Sequence, residues 1–247
     1  MHLPDGFLSK EVAGGLLGGA AFVFMYAAQH VRQKYFNARA VLKKNLALEG
    51  GFSIESSFKL SKKWKKAIQK RMLLAATMGS LVFALQMLNF PISKGTSGHF
   101  LGGLLLALVL GPFEAFVVIA LVLTVQCVAF SDGGLFVLGG NVFNMGVVAA
   151  VGGFYLFRYI WNRIKKTRKN YFVLAAILAW ISVVLASTFC AFEIYLSGTT
   201  DASVFSAMIS YHALIGLGEA GITILVLAYM SKSSPLPFIK QAKENEK

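Results

Sequence analysis

Long apolar runs dominate the pattern of hydrophobic and polar positions along this chain of 247 residues. Five of them contain at most one charged residue each, at 72–92, 115–130, 135–157, 171–196 and 203–230. A bilayer core of ~30 Å requires about 20 apolar residues in a spanning helix. We therefore predict a transmembrane helix in each run, and two further stretches, 11–31 and the shorter 99–111, bring the expected number to about seven.

The runs are apolar on every side of the chain, as in residues 117–123 (VVIALVL). The strands of a transmembrane barrel would instead alternate apolar and polar residues over segments of about 10 residues. The pattern thus predicts an all-α, polytopic helical bundle that forms a single transmembrane domain over residues 1–247. A mean hydropathy of +0.65 and a charged fraction of 14% agree with a multi-pass protein of the cell membrane, since soluble domains carry about 25% charged residues.

The distribution of positive charge predicts the topology. The net charge is +13, and 22 of the 24 Lys and Arg residues lie in 32–71, 158–170 and the C-terminal tail 231–247. Cytoplasmic segments are enriched in Lys and Arg, so we place these three segments in the cytoplasm and the N-terminus outside. The clustering of basic residues between apolar runs argues for a bilayer as partner, not a nucleic acid.

The basic connection 32–71 is the longest segment without an apolar run. Its cluster Lys62-Lys63-Trp64-Lys65-Lys66 is typical of a helix that lies on anionic lipid. A solvated basic loop that only sets the topology fits the sequence equally well. Elsewhere, Cys127 and Cys190 fall inside predicted spans without disulfide or zinc spacing, and the first residues lack the features of a signal peptide, so Met1 is expected to remain in the mature protein.

The N-terminal segment 1–10 offers the first candidate chemistry. A free α-amine followed by His2 can give a metal ion three nitrogens: the amine, the deprotonated amide of His2 and an imidazole nitrogen. These atoms close adjacent small chelate rings in nearly one plane, which suits Ni(II) and Cu(II) and accommodates Co(II). Pro4 and Asp5-Gly6 favour a compact turn. Taken alone, however, a His after the initiating Met has no function in most chains.

The glycine-rich stretch Gly95-Thr96-Ser97-Gly98-His99 opens the third predicted helix. Only about 12 residues, or ~18 Å of helix, separate His99 from the Gly111-Pro112 break. If that break is the cytoplasmic turn, His99 lies partway into the membrane, where irregular backbone is tolerated only inside protein or along a cavity. Histidines in such positions are typically functional. We interpret His99 as a metal ligand; a helix cap, or a bond to a neighbouring carbonyl, is the alternative.

Two polar pairs occur in later spans. Asn141 and Asn144 are three residues apart, and His212 and Glu219 are seven apart, so each pair shares a helix face and can point into the bundle. Hydrogen bonding between helices and direct support of a site are both open for these four residues.

Several motifs together resemble the CbiM/NikM family, the cobalt and nickel substrate-binding components of energy-coupling-factor transporters. They are Met1 to Ser9 (MHLPDGFLS), Asn89 to Gly103, Ser131 to Leu135 (SDGGL), Gly140 to Gly146 (GNVFNMG) and His212 to Glu219 (HALIGLGE). The basic segment 32–71 departs from the family, which usually has a shorter connection there.

The resemblance implies a seven-helix fold and a role in capturing Co²⁺ or Ni²⁺ as transported substrate, with no organic cofactor and no enzymatic activity of its own. It implies Met1 (amine), His2 (amide and imidazole) and His99 as the metal ligands. It also implies partners: a transmembrane coupling subunit, two ATP-binding subunits and often a small accessory membrane subunit. The sequence agrees in having no Gly-rich phosphate-binding loop that ends in Lys-Ser or Lys-Thr.

Two other functions are alternatives. An intramembrane metal-dependent enzyme could use His99, His212 and Glu219, but the chain lacks a paired-His helix motif and a nucleophile elbow. A stand-alone ion-coupled carrier would usually place several carboxylates in its spans. Here the spans hold mainly Glu193 and Glu219.

Overall fold

The computed structural model of the protein describes residues 2–50, 54–93, 96–233 and 236–245. It is almost wholly helical, with one small two-stranded antiparallel hairpin. In chain order the elements are α1 (Lys10–Gly50), α2 (Ile54–Gln86), β1 (Phe90–Ser93), β2 (Thr96–Gly98), α3 (Gly103–Leu110), α4 (Pro112–Phe130), α5 (Leu138–Val142), a π-helix (Phe143–Gly152), α6 (Gly153–Trp161), α7 (Arg168–Leu196), α8 (Ser203–Ser233) and α9 (Pro237–Asn245).

The predicted helical membrane bundle is confirmed. Within the described ranges, six helical stretches are long and apolar enough to cross a bilayer: Lys10–Val41, Lys62–Gln86, Pro112–Phe130, Leu138–Trp161, Arg168–Leu196 and Ser203–Lys232. The remaining predicted span, 99–111, contains the eight-residue helix α3. Eight residues rise only about 12 Å, which is too short to cross the membrane alone, so the count of seven spanning helices is not confirmed.

Large apolar side chains cover the outside of the bundle. Phe22, Leu73, Phe136 and Tyr229 are each 68% or more exposed. Large apolar side chains with this exposure lie on several elements, and lipid tails can cover them without the cost of contact with water. The protein is therefore a multi-pass membrane protein.

The short helix α3 lies at the centre of the bundle. All eight of its residues are buried, and it packs against α4, the π-helix, α6 and α7. Its first residue, Gly103, approaches the π-helix so closely that a Cβ there would lie 3.0 Å from the Met145 carbonyl oxygen. At its other end Gly111 has a φ of 90°, and Pro112 begins α4. This break matches the Gly111-Pro112 turn in the sequence, because glycine adopts positive φ readily and proline favours the first helical turn.

The basic segment 32–71 is helical wherever it is described, which excludes the predicted loop for those residues. Residues 32–50 continue α1, and residues 54–71 form the first half of α2. The Glu114 carboxylate at the start of α4 joins both helices: Lys34 Nζ lies 2.7 Å from its Oε1, and Arg71 lies 2.7 Å from its Oε2. Contact of the 62–66 cluster with anionic lipid stays a prediction.

The two ends of the bundle differ in composition. The N-terminal segment meets the 131–137 loop and the α7–α8 turn at one end. At the other end Lys34, Arg71, Arg158 and helix α9 surround two cavities of about 260 and 760 Å³. The basic residues thus gather opposite the N-terminus, as the charge distribution predicts. Which end faces the cytoplasm stays a prediction.

Candidate metal centre

The N-terminal segment folds back into the bundle. His2 is 4% exposed and Leu3 is completely buried. The Leu3 N–H donates to Asn141 Oδ1 at 3.1 Å, and the Leu3 carbonyl accepts from the Gly134 N–H at 2.8 Å. Because both backbone groups of Leu3 are bonded, the preceding residue His2 is held in a defined position.

Asp5 and Phe7 anchor the rest of this segment. The Asp5 carboxylate accepts from the N–H groups of Leu135 (3.2 Å) and Phe136 (2.9 Å). The Thr199 hydroxyl donates to the Phe7 carbonyl at 2.6 Å. Glycine is required next to Asp5, because a Cβ at Gly134 would collide with the Asp5 backbone. The sequence predicted a compact turn here but not these partners, which are more than 120 residues away.

His99 lies in an irregular, buried stretch between β2 and α3. The structure corrects the prediction that His99 opens the third helix: α3 begins four residues later, at Gly103. His99 is completely buried, and its Nδ1 lies 2.7 Å from the Phe100 carbonyl oxygen. That bond places the ring proton on Nδ1 and leaves Nε2 with a free lone pair, with no hydrogen-bond partner among the described residues. The predicted alternative of a bond to a neighbouring carbonyl is thus present, and it favours metal ligation through Nε2.

The fold brings His2 and His99 together, although they are far apart in the sequence. Their ring centroids are 4.3 Å apart and the ring planes are inclined by 36°. Asp132 Oδ1 lies 3.0 Å from His2 Nδ1, but neither ring nitrogen of His2 has a hydrogen-bond partner of normal geometry in the described part of the chain. Met1, the third predicted ligand residue, lies outside the described residues. Two of the three residues predicted as metal ligands, His2 and His99, are therefore in contact and buried from solvent.

Burial keeps the His2 imidazole neutral. It lowers the pKa of His2, although the nearby Asp132 carboxylate opposes the shift. Burial is the largest single effect on Asp132 and raises its pKa, but the contact with His2 and the N-terminal charge together leave the pKa of Asp132 below its ordinary value. A neutral imidazole offers a lone pair, and an ionised carboxylate beside it would attract a cation. The lone pair and the neighbouring carboxylate are both compatible with a bound cation.

The two asparagines predicted as a pair have separate roles. Asn141 is buried and fixes the N-terminal segment through Leu3. Asn144 lies in the π-helix and donates to Glu193 Oε2 at 2.8 Å. The π-helical stretch begins between them at Phe143 and changes the angular spacing of successive side chains.

His212 and Glu219 both approach the His99 stretch. His212 is buried, its Nδ1 lies 2.8 Å from the Met208 carbonyl, and its Cε1 would lie 3.5 Å from a Cβ at Gly98. Glu219 accepts two hydrogen bonds from the backbone that follows His99. The sequence identified both residues but gave no means of choosing between packing and support of a site.

Among the described residues, side chains alone do not complete a metal site. In the described portion, no group of three or more His, Cys, Asp or Glu residues could hold a metal ion. The predicted ligand set is of a different kind, because it uses the terminal amine and a backbone amide beside two imidazoles. Asp132 was missed as a neighbour of His2, although the SDGGL motif contains it.

Comparison with known proteins finds relatives along most of the chain. The family model CbiM, described as a cobalt uptake substrate-specific transmembrane region, matches residues 46–236. A putative fused nickel transport protein NikMN of Archaeoglobus fulgidus is 35% identical over 95% of this chain and 67% of its own length. A putative metal transport protein of Haloquadratum walsbyi is 31% identical over 95% of this chain and 92% of its own. A crystal structure of a transition metal transporter superposes with a TM-score of 0.73 at 26% identity, covering 94% of this chain and 93% of that one.

Proposed function

The chain belongs to the CbiM family of cobalt uptake transmembrane proteins, and we propose that it is the substrate-binding component of an energy-coupling-factor importer. Its family makes it a metal transport protein rather than an enzyme. In this role it captures Co²⁺ or Ni²⁺ outside the cytoplasmic membrane. The ligands are the amine of Met1, the amide and an imidazole nitrogen of His2, and the imidazole of His99.

The observation that carries this proposal is the buried pairing of His2 with His99, 4.3 Å apart between ring centroids. Two imidazoles with bare nitrogens in a water-excluded site are costly to leave without partners. A metal ion satisfies them. Nitrogen donors in one plane suit Ni(II) and are accepted by Co(II). A competition experiment with both ions will show which of them the site binds more tightly.

The proposed partners are a transmembrane coupling subunit, two ATP-binding subunits and a small accessory membrane subunit. The sequence supports an external source of energy, because it contains no phosphate-binding loop that ends in Lys-Ser or Lys-Thr. The alternative is a stand-alone ion-coupled carrier, which would move metal without ATP.

Uptake into proteoliposomes tests the proposal against that alternative. We expect the purified chain alone to bind Ni(II) or Co(II) but not to accumulate it inside vesicles. Accumulation should begin only when the coupling and ATP-binding subunits and ATP are added, and an ATP-binding subunit without its phosphate-binding lysine is the matched control. Concentrative uptake by the chain alone, driven by an ion gradient, would contradict the importer role.

A further inference from the structure

We propose that Glu219 is a positioning residue for the metal site: its carboxylate fixes the backbone that presents His99. The inference rests on the proposed function and deepens it. It assigns to one buried carboxylate on α8 a role in metal affinity, although this residue is not itself a metal ligand.

The contacts of Glu219 are specific and long-range. Its Oε2 accepts from the Leu101 N–H at 2.9 Å and its Oε1 accepts from the Gly102 N–H at 2.7 Å, across 118 and 117 residues of sequence. Glu219 is 4% exposed. A single carboxylate thus bonds two successive N–H groups, the second and third residues after His99.

This stretch of backbone has no regular secondary structure to hold it. Residues 99–102 precede α3, so their N–H groups lack helical partners. Gly102 has a φ of 68°, a left-handed conformation that glycine adopts at low cost. A Cβ at Gly102 would also collide with Val82. The stretch therefore depends on side-chain acceptors for its conformation.

A second side chain, Gln86, bonds the other polar group of Leu101, and we call Glu219 and Gln86 together the clamp. Gln86 Nε2, at the end of α2, donates to the Leu101 carbonyl at 2.9 Å. Both backbone polar groups of Leu101 are therefore held, one from α8 and one from α2. Leu3, next to His2, is held in the same manner by Asn141 and Gly134. Each of the two histidines thus lies within two residues of a leucine whose backbone is fixed on both sides.

Replacing the carboxylate by an amide of the same shape isolates this role. In Glu219→Gln one oxygen still accepts one N–H, but the new NH₂ group faces the other N–H, donor against donor. A buried N–H without an acceptor is unfavourable, so the stretch is expected to shift and carry His99 away from His2. Changes of outer-shell partners typically reduce metal affinity about 10–100-fold, and we expect a loss of this size.

A double-mutant cycle tests the inference. Affinities for Ni(II) and Co(II) are measured by calorimetry on the full native chain, Glu219→Gln, His99→Ala and the double variant. If Glu219 acts through His99, the double variant binds no more weakly than His99→Ala alone. Glu193→Gln is the matched control, because Glu193 is also a buried carboxylate (5% exposed) but bonds Asn144, and it should retain native affinity.

Native affinity in a folded Glu219→Gln protein would overturn the inference, as would losses that add fully in the double variant. If Glu219→Gln does not fold, Gln86→Leu tests the same clamp: it should weaken binding, and not further in the His99→Ala background. Native affinity in Gln86→Leu would then overturn the inference. Absence of metal binding by the native chain would instead refute the proposed function, so the two failures are distinguishable.

Discussion

Adding Gly-Ser ahead of Met1 is expected to lower the affinity for Ni(II) and Co(II) by more than the roughly 100-fold that the largest outer-shell changes cost. The extension moves His2 out of the second position, so its amide and imidazole no longer share chelate rings with a terminal amine. Several of the four nitrogen donors are lost together, whereas changes of outer-shell groups alone cost about 10–100-fold. Acetylation of the native amine should have a similar effect, because an acylated nitrogen is a far poorer donor.

The packing of the N-terminal segment sharpens this expectation. His2 is 4% exposed, and Leu3 is bonded at both its N–H and its carbonyl. The segment is therefore built into the bundle and is unlike the frayed end that most chains have. Binding by calorimetry is the measurement, with the same Gly-Ser added after Lys247 as control. Equal affinities for the native and the N-terminally extended chains would refute the terminal chelate.

The His99→Ala variant is expected to bind both metals at least ~100-fold more weakly, or about 2.7 kcal/mol, while it still inserts and folds. It removes one of four nitrogen ligands and leaves the apolar spans unchanged. Binding is measured by equilibrium dialysis, and folding by the thermal transition of the metal-free protein in detergent.

His30→Ala is the matched control for this variant. His30 lies at the opposite end of the bundle, against Phe113 and beside the smaller cavity, so its loss should leave metal affinity unchanged. Native affinity in His99→Ala would place the site elsewhere, first of all near His212 and Glu219.

The membrane bundle could be predicted because a helix that crosses a bilayer needs one simple feature in the sequence, an apolar run of about 20 residues. The continuation of α1 and α2 through the basic segment was not predicted, apart from the possible helix at 62–66. Residues 32–71 were interpreted by their charge, and Lys and Arg mark cytoplasmic segments whether helical or not. The same residues are also good helix formers, together with Leu, Ala and Gln, and that signal was available in the sequence.

The start of α3 was misplaced for a physical reason. Residues 99–102 run directly into the apolar helix that follows, but their backbone is held by Glu219 and Gln86 rather than by helical hydrogen bonds. Partners so distant in sequence leave no periodic pattern. Two adjacent glycines, Gly102 and Gly103, were the local signal of the break.

The histidine pair was the most predictable part of the site. His2 was distinguished by its position after the initiating Met, and His99 by its depth in the membrane. Their neighbours Asp132 and Asn141 could not be placed, because only the folded chain brings the 131–137 loop and α5 against the N-terminus. The sequence thus singled out two histidines that the fold brings together, while the groups around them depend on tertiary contacts; their role as metal ligands stays a prediction.

X-ray absorption spectroscopy of the nickel-loaded native chain tests the central claim most directly. The account predicts one nickel per chain, coordinated by four nitrogen atoms in a plane, at least two of them from imidazole, with no sulfur ligand. The Gly-Ser-extended chain should lose this spectrum. A six-coordinate, oxygen-rich spectrum, or one that survives the extension, would contradict a site built from Met1, His2 and His99.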